Sequence, residues 1–179
     1  SPMSRGLGDV YKRQDMATAS LKYGSGEIRL TEDQNIILTG LTHEKVKEFK
    51  ADSLLEQFAL EPGNISAGTV SCTGNTYCSF ALTNTKDQAL KAARELDKEL
   101  KLPDEIKIHW TGCPNTCGQA YMGAIGLTGT KAKDNEGVMG EGYTMTIGGS
   151  QGPNPTIGEV YRKAIPAAEI KGCLSLIHI

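Results

Sequence analysis

Ile106-Lys-Ile-His-Trp-Thr-Gly-Cys-Pro-Asn-Thr-Cys117 decides the reading of this chain. Its first half alternates apolar and polar residues, which predicts a half-buried strand over 106–110 with His109 on the polar face. That strand runs straight into two cysteines separated by three residues. In helical geometry Cys113 and Cys117 point to one face. Pro114 suits a first helical turn, since it has no N–H to leave unpaired there. A second pair lies upstream in Ser71-Cys-Thr-Gly-Asn-Thr-Tyr-Cys78, with five residues between its cysteines and 34 between the two pairs. Two local thiol pairs from distant loops are the ligand set that a cubane iron–sulfur cluster needs, each pair taking one side of the cube. Gly74, Gly112 and Gly118 let backbone approach sulfur closely, and N–H groups there offset the charge of a bound cluster. A structural zinc site also takes four cysteines, but zinc sites favour pairs spaced by two to four residues and only the second pair fits. Unrelated buried cysteines are the remaining alternative, yet these four sit in Gly/Thr/Asn loops rather than in apolar runs.

Outward from these loops the chain reads as mixed α+β. Residues 27–31 and 35–38 form two short strands of a hairpin, with Ile28 and Leu30 on one face and Arg29 on the other. Thr42 is a candidate N-cap for a helix from His43, with Leu41 and Val46 placed as a hydrophobic staple. Val46, Phe49, Leu54, Leu55 and Phe58 supply an apolar stripe over two short helices. Pro62-Gly63-Asn64 is a stop and a candidate subdomain boundary. A short apolar segment around Thr69 and Val70 leads into Cys72. Thr85-x-x-Gln88 has capping-box form, and Ala89, Ala93, Leu96 and Leu100 follow at helical spacing until Pro103. Strands are expected at 124–128 and 143–147, a polar loop at 131–142, and a helix over 159–168 with a break at Pro166. The fold class is α+β: a mixed sheet with flanking helices.

The 179 residues are 39 % hydrophobic and 22 % charged, a globular mixture. Lys+Arg number 19 against 21 Asp+Glu, formally −2, without a basic stripe, which argues against a nucleic-acid binder. No apolar run approaches the roughly 20 residues of a membrane span. Residues 1–14 show neither an amphipathic period nor the apolar core of a secretory signal, so disulfides are not expected. Residues 173–179 turn abruptly apolar. Both ends read as non-native tails that resemble translated adapter sequence, and setting Cys173 aside turns five cysteines into four.

Residues 71–78, together with His109-Trp-Thr-Gly-Cys-Pro-Asn-Thr-Cys-Gly-Gln119, closely resemble the sirohaem nitrite/sulfite reductase family, and within it the assimilatory ferredoxin–nitrite reductases. Gly26-Glu-Ile-Arg-Leu-Thr-x-x-Gln-Asn35 resembles the segment that opens the second of the family's two pseudo-repeated halves, and Gly148-Gly-Ser and Gly158-Glu-Val-Tyr resemble its end. The resemblance covers nearly all of 15–171. It implies half of a pseudo-repeated sirohaem reductase architecture, with a ferredoxin-like half-domain over 15–66 and a sirohaem/[4Fe–4S] reductase domain over 67–172. It implies that Cys72, Cys78, Cys113 and Cys117 hold a [4Fe–4S] cluster, and that Cys117 bridges to the sirohaem iron. Arg29, Gln34 and Asn35 match a segment that approaches the sirohaem carboxylates. Asn115 and Gln119, and Thr73 and Asn75 around the first cysteine, stand beside the ligands as hydrogen-bond donors.

The implied activity is six-electron reduction of nitrite to ammonia, with ferredoxin as electron donor, in a monomeric enzyme of the cytoplasm or plastid stroma. Sulfite reductases share the family; they tend to place prolines around the first cysteine pair, and here that segment has none. A stand-alone [4Fe–4S] electron carrier is the rival from another class, although carriers usually keep their cysteines closer together. Ala124 stands where the family commonly has an acidic residue. The basic cluster that binds the anionic substrate lies mostly in the family's first half, and no such cluster appears here, so the chain alone is expected to be inactive.

Overall fold

The computed structural model describes residues 2–56 and 58–178, with side chains for 12–56 and 58–176. The chain divides into two compact units between Glu61 and Pro62, at the Pro62-Gly63-Asn64 stop and ahead of the 66/67 boundary expected from the sequence. The expected tails 1–14 and 173–179 include positions whose side chains lie outside the described residues.

The first unit holds α1 (Pro2–Tyr23), β1 (Ile28–Leu30), β2 (Ile36–Leu38) and α2 (His43–Phe49), then a 3-10 turn over Ser53–Glu56. Met16, Ala19, Ser20 and Tyr23 are buried on one helical face of α1 at the i, i+3, i+4, i+7 spacing. Met16, Ala19 and Tyr23 pack with Phe49 and Leu54 in a small core. Thr42 caps α2 as its sequence suggests, its side-chain oxygen accepting from the Lys45 N–H at 3.3 Å. The hairpin also forms, with Ile28 opposite Leu38 and Leu30 opposite Ile36. Its strands are exposed at almost every position, and Leu30 stands 80 % exposed. The alternation that separates Arg29 from Ile28 and Leu30 therefore does not divide a buried face from a wet one within this unit.

The second unit is a five-stranded sheet in the order β3-β4-β5-β6-β7, formed by β3 (Thr69–Ser71), β4 (Ile108–Thr111), β5 (Ile125–Lys133), β6 (Met139–Ile147) and β7 (Glu159–Pro166). The first three strands pair in parallel, while the β5–β6 and β6–β7 pairings are antiparallel, which makes the sheet mixed. The α-helices α3 (Asn64–Ala67), α4 (Lys86–Glu99) and α5 (Ile170–Leu174) accompany it. Ala89, Ala93 and Leu96 of α4, the helical-period residues of the sequence, meet Ile108, Trp110, Leu127, Tyr143 and Ile165 of the sheet in one core, with Ile170 and Leu174 of α5. The Trp110 and Tyr143 rings pack edge to face, 5.2 Å apart. Cys173 packs partly buried against the same core. Asp97 on α4 holds α3 by accepting the Ile65 and Ser66 N–H groups, each at 3.0 Å.

Three expectations fail. The segment 131–142 is not a loop, because β5 and β6 extend through it as a hairpin turned at Asp134. The Asp134 carboxylate accepts the Glu136 and Val138 N–H groups, a side-chain turn that lets the strand ends project polar residues into water. The segment 159–166 is a strand rather than a helix. It is the edge strand, exposed along most of its length, so its Val160, Tyr161 and charged residues need no buried face to satisfy. Two register shifts bend it, and Ala164 takes φ +51 there. The half-buried strand at 106–110 is instead buried at every position of β4, as parallel strands covered on both faces are. Among the described residues, no helix is long and apolar enough to cross a membrane.

Candidate functional site

The two cysteine loops leave the carboxyl ends of neighbouring parallel strands. Ser71, the last residue of β3, lies opposite Trp110 of β4, so Cys72 and the Gly112–Cys113 turn emerge side by side. In open parallel sheets this is the edge at which ligand-holding loops collect. The Cys72 N–H donates to the Trp110 carbonyl at 3.0 Å, and the Gly112 N–H donates to the Cys72 sulfur at 3.1 Å. The Leu82 N–H, just past Cys78, donates to the Gly112 carbonyl at 2.7 Å. Residues 40 positions apart in sequence thus close on one sulfur.

Glycine is required where these loops touch. Gly74 adopts φ +69, and a Cβ there would stand 2.6 Å from the Thr85 nitrogen and hydroxyl. At Gly118 a Cβ would meet the Trp110 carbonyl oxygen at 2.1 Å. The Cys113–Cys117 segment is a turn, not the helix its spacing suggested. The Thr116 N–H closes on the Cys113 carbonyl at 3.2 Å, and Thr116 and Gln119 then take left-handed backbone at φ +52 and +53, which ends any helical run. Pro114 therefore serves a turn.

All five cysteines are free thiols. Cys113 is buried, Cys72 and Cys78 are half-buried, and Cys117 is exposed. Burial pushes the Cys72 thiol up, but the N–H groups of Gly112 and Gly74 and the hydroxyls of Thr85 and Thr111 outweigh it and hold the thiol below its ordinary value. A thiolate stabilised by backbone N–H groups suits a sulfur that ligates a metal cluster. Among the described residues, no three His, Cys, Asp or Glu side chains are placed to hold a single metal ion together. One tetrahedral zinc would need its four sulfurs at about 2.3 Å from one point. A cubane instead takes one thiolate at each of four separate irons.

His109 is 2 % exposed, on a strand with no polar face. Its Nδ1 lies 3.0 Å from the Gly118 carbonyl and 3.1 Å from that of Gln119, so it braces the backbone just beyond Cys117. Asn115 and Gln119 are both exposed beside the second pair. Arg29, Gln34 and Asn35 lie in the first unit. The Arg29 Nε pairs with Glu27 at 2.8 Å, Gln34 takes φ +62 in the hairpin turn, and the Asn35 N–H donates to the Thr31 hydroxyl at 3.0 Å.

Two residues beside the first pair were not legible as such. Thr85 is fully buried and makes no side-chain cap on α4. Its hydroxyl donates to the Cys72 carbonyl at 2.6 Å, while Asn84 accepts the Asp87 N–H in place of the expected capping box. Glu141, on β6, accepts the Asn75 side-chain amide at 2.7 Å from 66 positions away, a pairing no local pattern announces. Two surface hollows, one lined by Asp15, Lys22 and Asp52 and one by Lys91, Trp110 and Lys171, contain no cysteine. Thiol chemistry rather than concavity marks the site.

Residues 63–178 match the family described as "Nitrite and sulphite reductase 4Fe-4S domain". Residues 11–54 match "Nitrite/Sulfite reductase ferredoxin-like half domain". The ferredoxin–nitrite reductase of Synechococcus elongatus is 45 % identical over 171 residues, which is 96 % of this chain and 33 % of that protein. The chloroplastic ferredoxin–nitrite reductase of Zea mays is 38 % identical over 158 residues, 87 % of this chain and 28 % of that protein. The solved structure of the Mycobacterium tuberculosis NirA protein shares the fold, with a TM-score of 0.81 and 23 % identity over 89 % of this chain and 30 % of that one. The chain spans about a third or less of the length of these relatives.

Proposed function

Since this chain belongs to the nitrite and sulphite reductase family, we propose that it is the cluster-bearing part of an assimilatory ferredoxin–nitrite reductase. The observation that carries the reading is the meeting of the two cysteine loops at one sheet edge, tied by the Gly112 N–H on the Cys72 sulfur. In this reading Cys72, Cys78, Cys113 and Cys117 would hold a [4Fe–4S] cluster, and the exposed Cys117 would be the ligand open to a sirohaem. The bound pair of cofactors supplies single electrons from ferredoxin to nitrite, six in all for ammonia.

The chain's own residues have narrower tasks. The Gly112 N–H donates to the first sulfur, the Thr85 hydroxyl holds the Cys72 carbonyl, and Gly118 lets the second loop lie against β4. Arg29, Gln34 and Asn35 are proposed to meet the sirohaem carboxylates, Arg29 by leaving its exposed Glu27 pair. Asn115 and Gln119 are proposed to donate hydrogen bonds beside the ligands. The half-domain 15–66 and the reductase domain 67–172 are proposed as the functional units. Ferredoxin as donor, a monomeric enzyme, and a cytoplasmic or plastid-stroma setting belong to the same proposal. Sulfite is the alternative substrate, which the proline-free first cysteine loop disfavours.

Anaerobic reconstitution with iron, sulfide and sirohaem tests the reading. Cluster absorption coupled to a haem band supports it. Cluster absorption without haem uptake supports a simple electron carrier instead, and zinc at unit stoichiometry with neither band refutes both. The reconstituted chain alone is expected not to reduce nitrite with a chemical donor.

A further inference from the structure

Glu141 sits on β6, in a different part of the sequence from either cysteine pair, yet its carboxylate is shared among three donors from the first pair's surroundings. One oxygen accepts the Asn75 side-chain amide at 2.7 Å. The other accepts the Asn84 backbone N–H at 3.1 Å and the Gln88 side-chain amide at 2.9 Å. Asn75 and Asn84 bracket Cys78, and Gln88 lies in the first turn of α4. Two residues along β6, the Tyr143 hydroxyl donates to the Asn84 carbonyl at 2.6 Å. Both backbone polar groups of Asn84 are thereby bound to the same strand. The loop between Asn75 and Asn84 leaves the Tyr77 and Phe80 rings mostly in solvent, so burial of these rings does not hold it. A loop of this kind opens locally unless hydrogen bonds close it.

We propose that Glu141 is the positioning residue of the first cysteine pair, clamping Asn75 and Asn84 so that Cys72 and Cys78 are held ready to ligate. This rests on the cluster reading above. The clamp works through hydrogen bonds rather than charge. In Glu141→Gln the amide oxygen can take the place of the oxygen shared by Asn84 and Gln88. The new NH2 then faces Asn75, whose side-chain amide can turn to present its oxygen. Glu141→Ala leaves no acceptor, and the Asn84 N–H has no means of turning away.

The test uses the whole 179-residue chain, first without iron and then reconstituted anaerobically with iron and sulfide. Hydrogen exchange is read across residues 73–84 and 112–119, iron release to a chelator is timed, and visible circular dichroism of the loaded cluster reports ligand geometry. Glu141→Ala is expected to speed exchange across 73–84 and iron release by about tenfold each. It leaves 112–119 unchanged and alters the visible dichroism. Glu141→Gln stays within about threefold of the parent chain. Asn75→Ala, which leaves the sheet untouched, gives the same direction as Glu141→Ala and covers the case in which that variant does not fold. Variants that exchange and release iron like the parent overturn the assignment. Equal failure of Glu141→Gln and Glu141→Ala overturns it in favour of a charge effect. A parent chain that takes up no iron overturns the cluster reading instead.

Discussion

Replacing Gly118 by alanine probes how tightly the second cysteine loop lies against the sheet. The new Cβ would stand 2.1 Å from the Trp110 carbonyl oxygen and 3.3 Å from the Cys72 nitrogen. Both neighbours are backbone atoms, and they are hydrogen-bonded to each other, so neither can swing aside. Real Cβ atoms keep at least 3.0 Å from such a neighbour, so the loop must retreat by about 0.9 Å. Its retreat strains the Gly118 N–H bond to the Thr111 hydroxyl at 3.4 Å and the contact of the Gly118 carbonyl with His109 at 3.0 Å. Overpacking of this kind costs about 1–3 kcal/mol, and a lost buried hydrogen bond about 1 kcal/mol more. The expected destabilisation of the second unit is therefore about 3 kcal/mol. Gly140→Ala is the matched control: nothing lies within 4 Å of its Cβ position, and a shift of no more than about 0.5 kcal/mol is expected. Trp110 is the single tryptophan and is buried in this unit, so its fluorescence follows urea unfolding. With a slope of about 1–3 kcal/mol per M, the midpoint falls by about 1–3 M for Gly118→Ala. A Gly118→Ala midpoint level with that of Gly140→Ala refutes the close contact.

Thr85→Val removes the hydroxyl that satisfies the Cys72 carbonyl and is expected to cost about 1–3 kcal/mol in the same unfolding assay, while Thr85→Ser recovers most of it. Leu96→Ala, at a fully buried core position of α4, is expected to cost about 2–5 kcal/mol; a loss under 1 kcal/mol contradicts the packing. In the first unit, the Tyr23 hydroxyl foremost, then the Leu54 N–H, and also Lys22, hold the Asp52 carboxyl below its usual range against the effect of burial. A depressed folded-state value means stability that is present above the unfolded value, about 3.9, and lost as pH falls through the folded one. Tyr23→Phe is therefore expected to move acid loss of this unit to higher pH, read from the Phe49 ring resonances; an unmoved acid midpoint contradicts it.

Local chemistry was legible and long-range chemistry was not. The hairpin at 28–38, the Thr42 cap and the Ala89–Ala93–Leu96 face of α4 follow from turn residues, capping geometry and periodicity within a few positions. Residues 159–166 carry no such signal, because an exposed edge strand has no buried face to impose a period of two. Thr85 has the form of a cap, but the Cys72 carbonyl, 13 positions away, is the partner its hydroxyl takes. His109 alternates like a surface residue, yet it is buried where the return of 118–119 brings two carbonyls onto its Nδ1. The four cysteines stood out by spacing. The residues bonded to the first pair's loop from across the sheet, Glu141 and Tyr143, lie 53–66 positions from their partners and left no trace nearby.

The most direct test is cysteine by cysteine. The chain is reconstituted anaerobically with iron and sulfide, and iron and acid-labile sulfide are counted per chain for the parent and for Cys72→Ser, Cys78→Ser, Cys113→Ser, Cys117→Ser and Cys173→Ser. About four irons and four sulfides are expected in the parent and in Cys173→Ser, with loss of the cluster in each of the other four. A full cluster that survives any one of those four substitutions, or that disappears with Cys173→Ser, contradicts the assignment of the ligands.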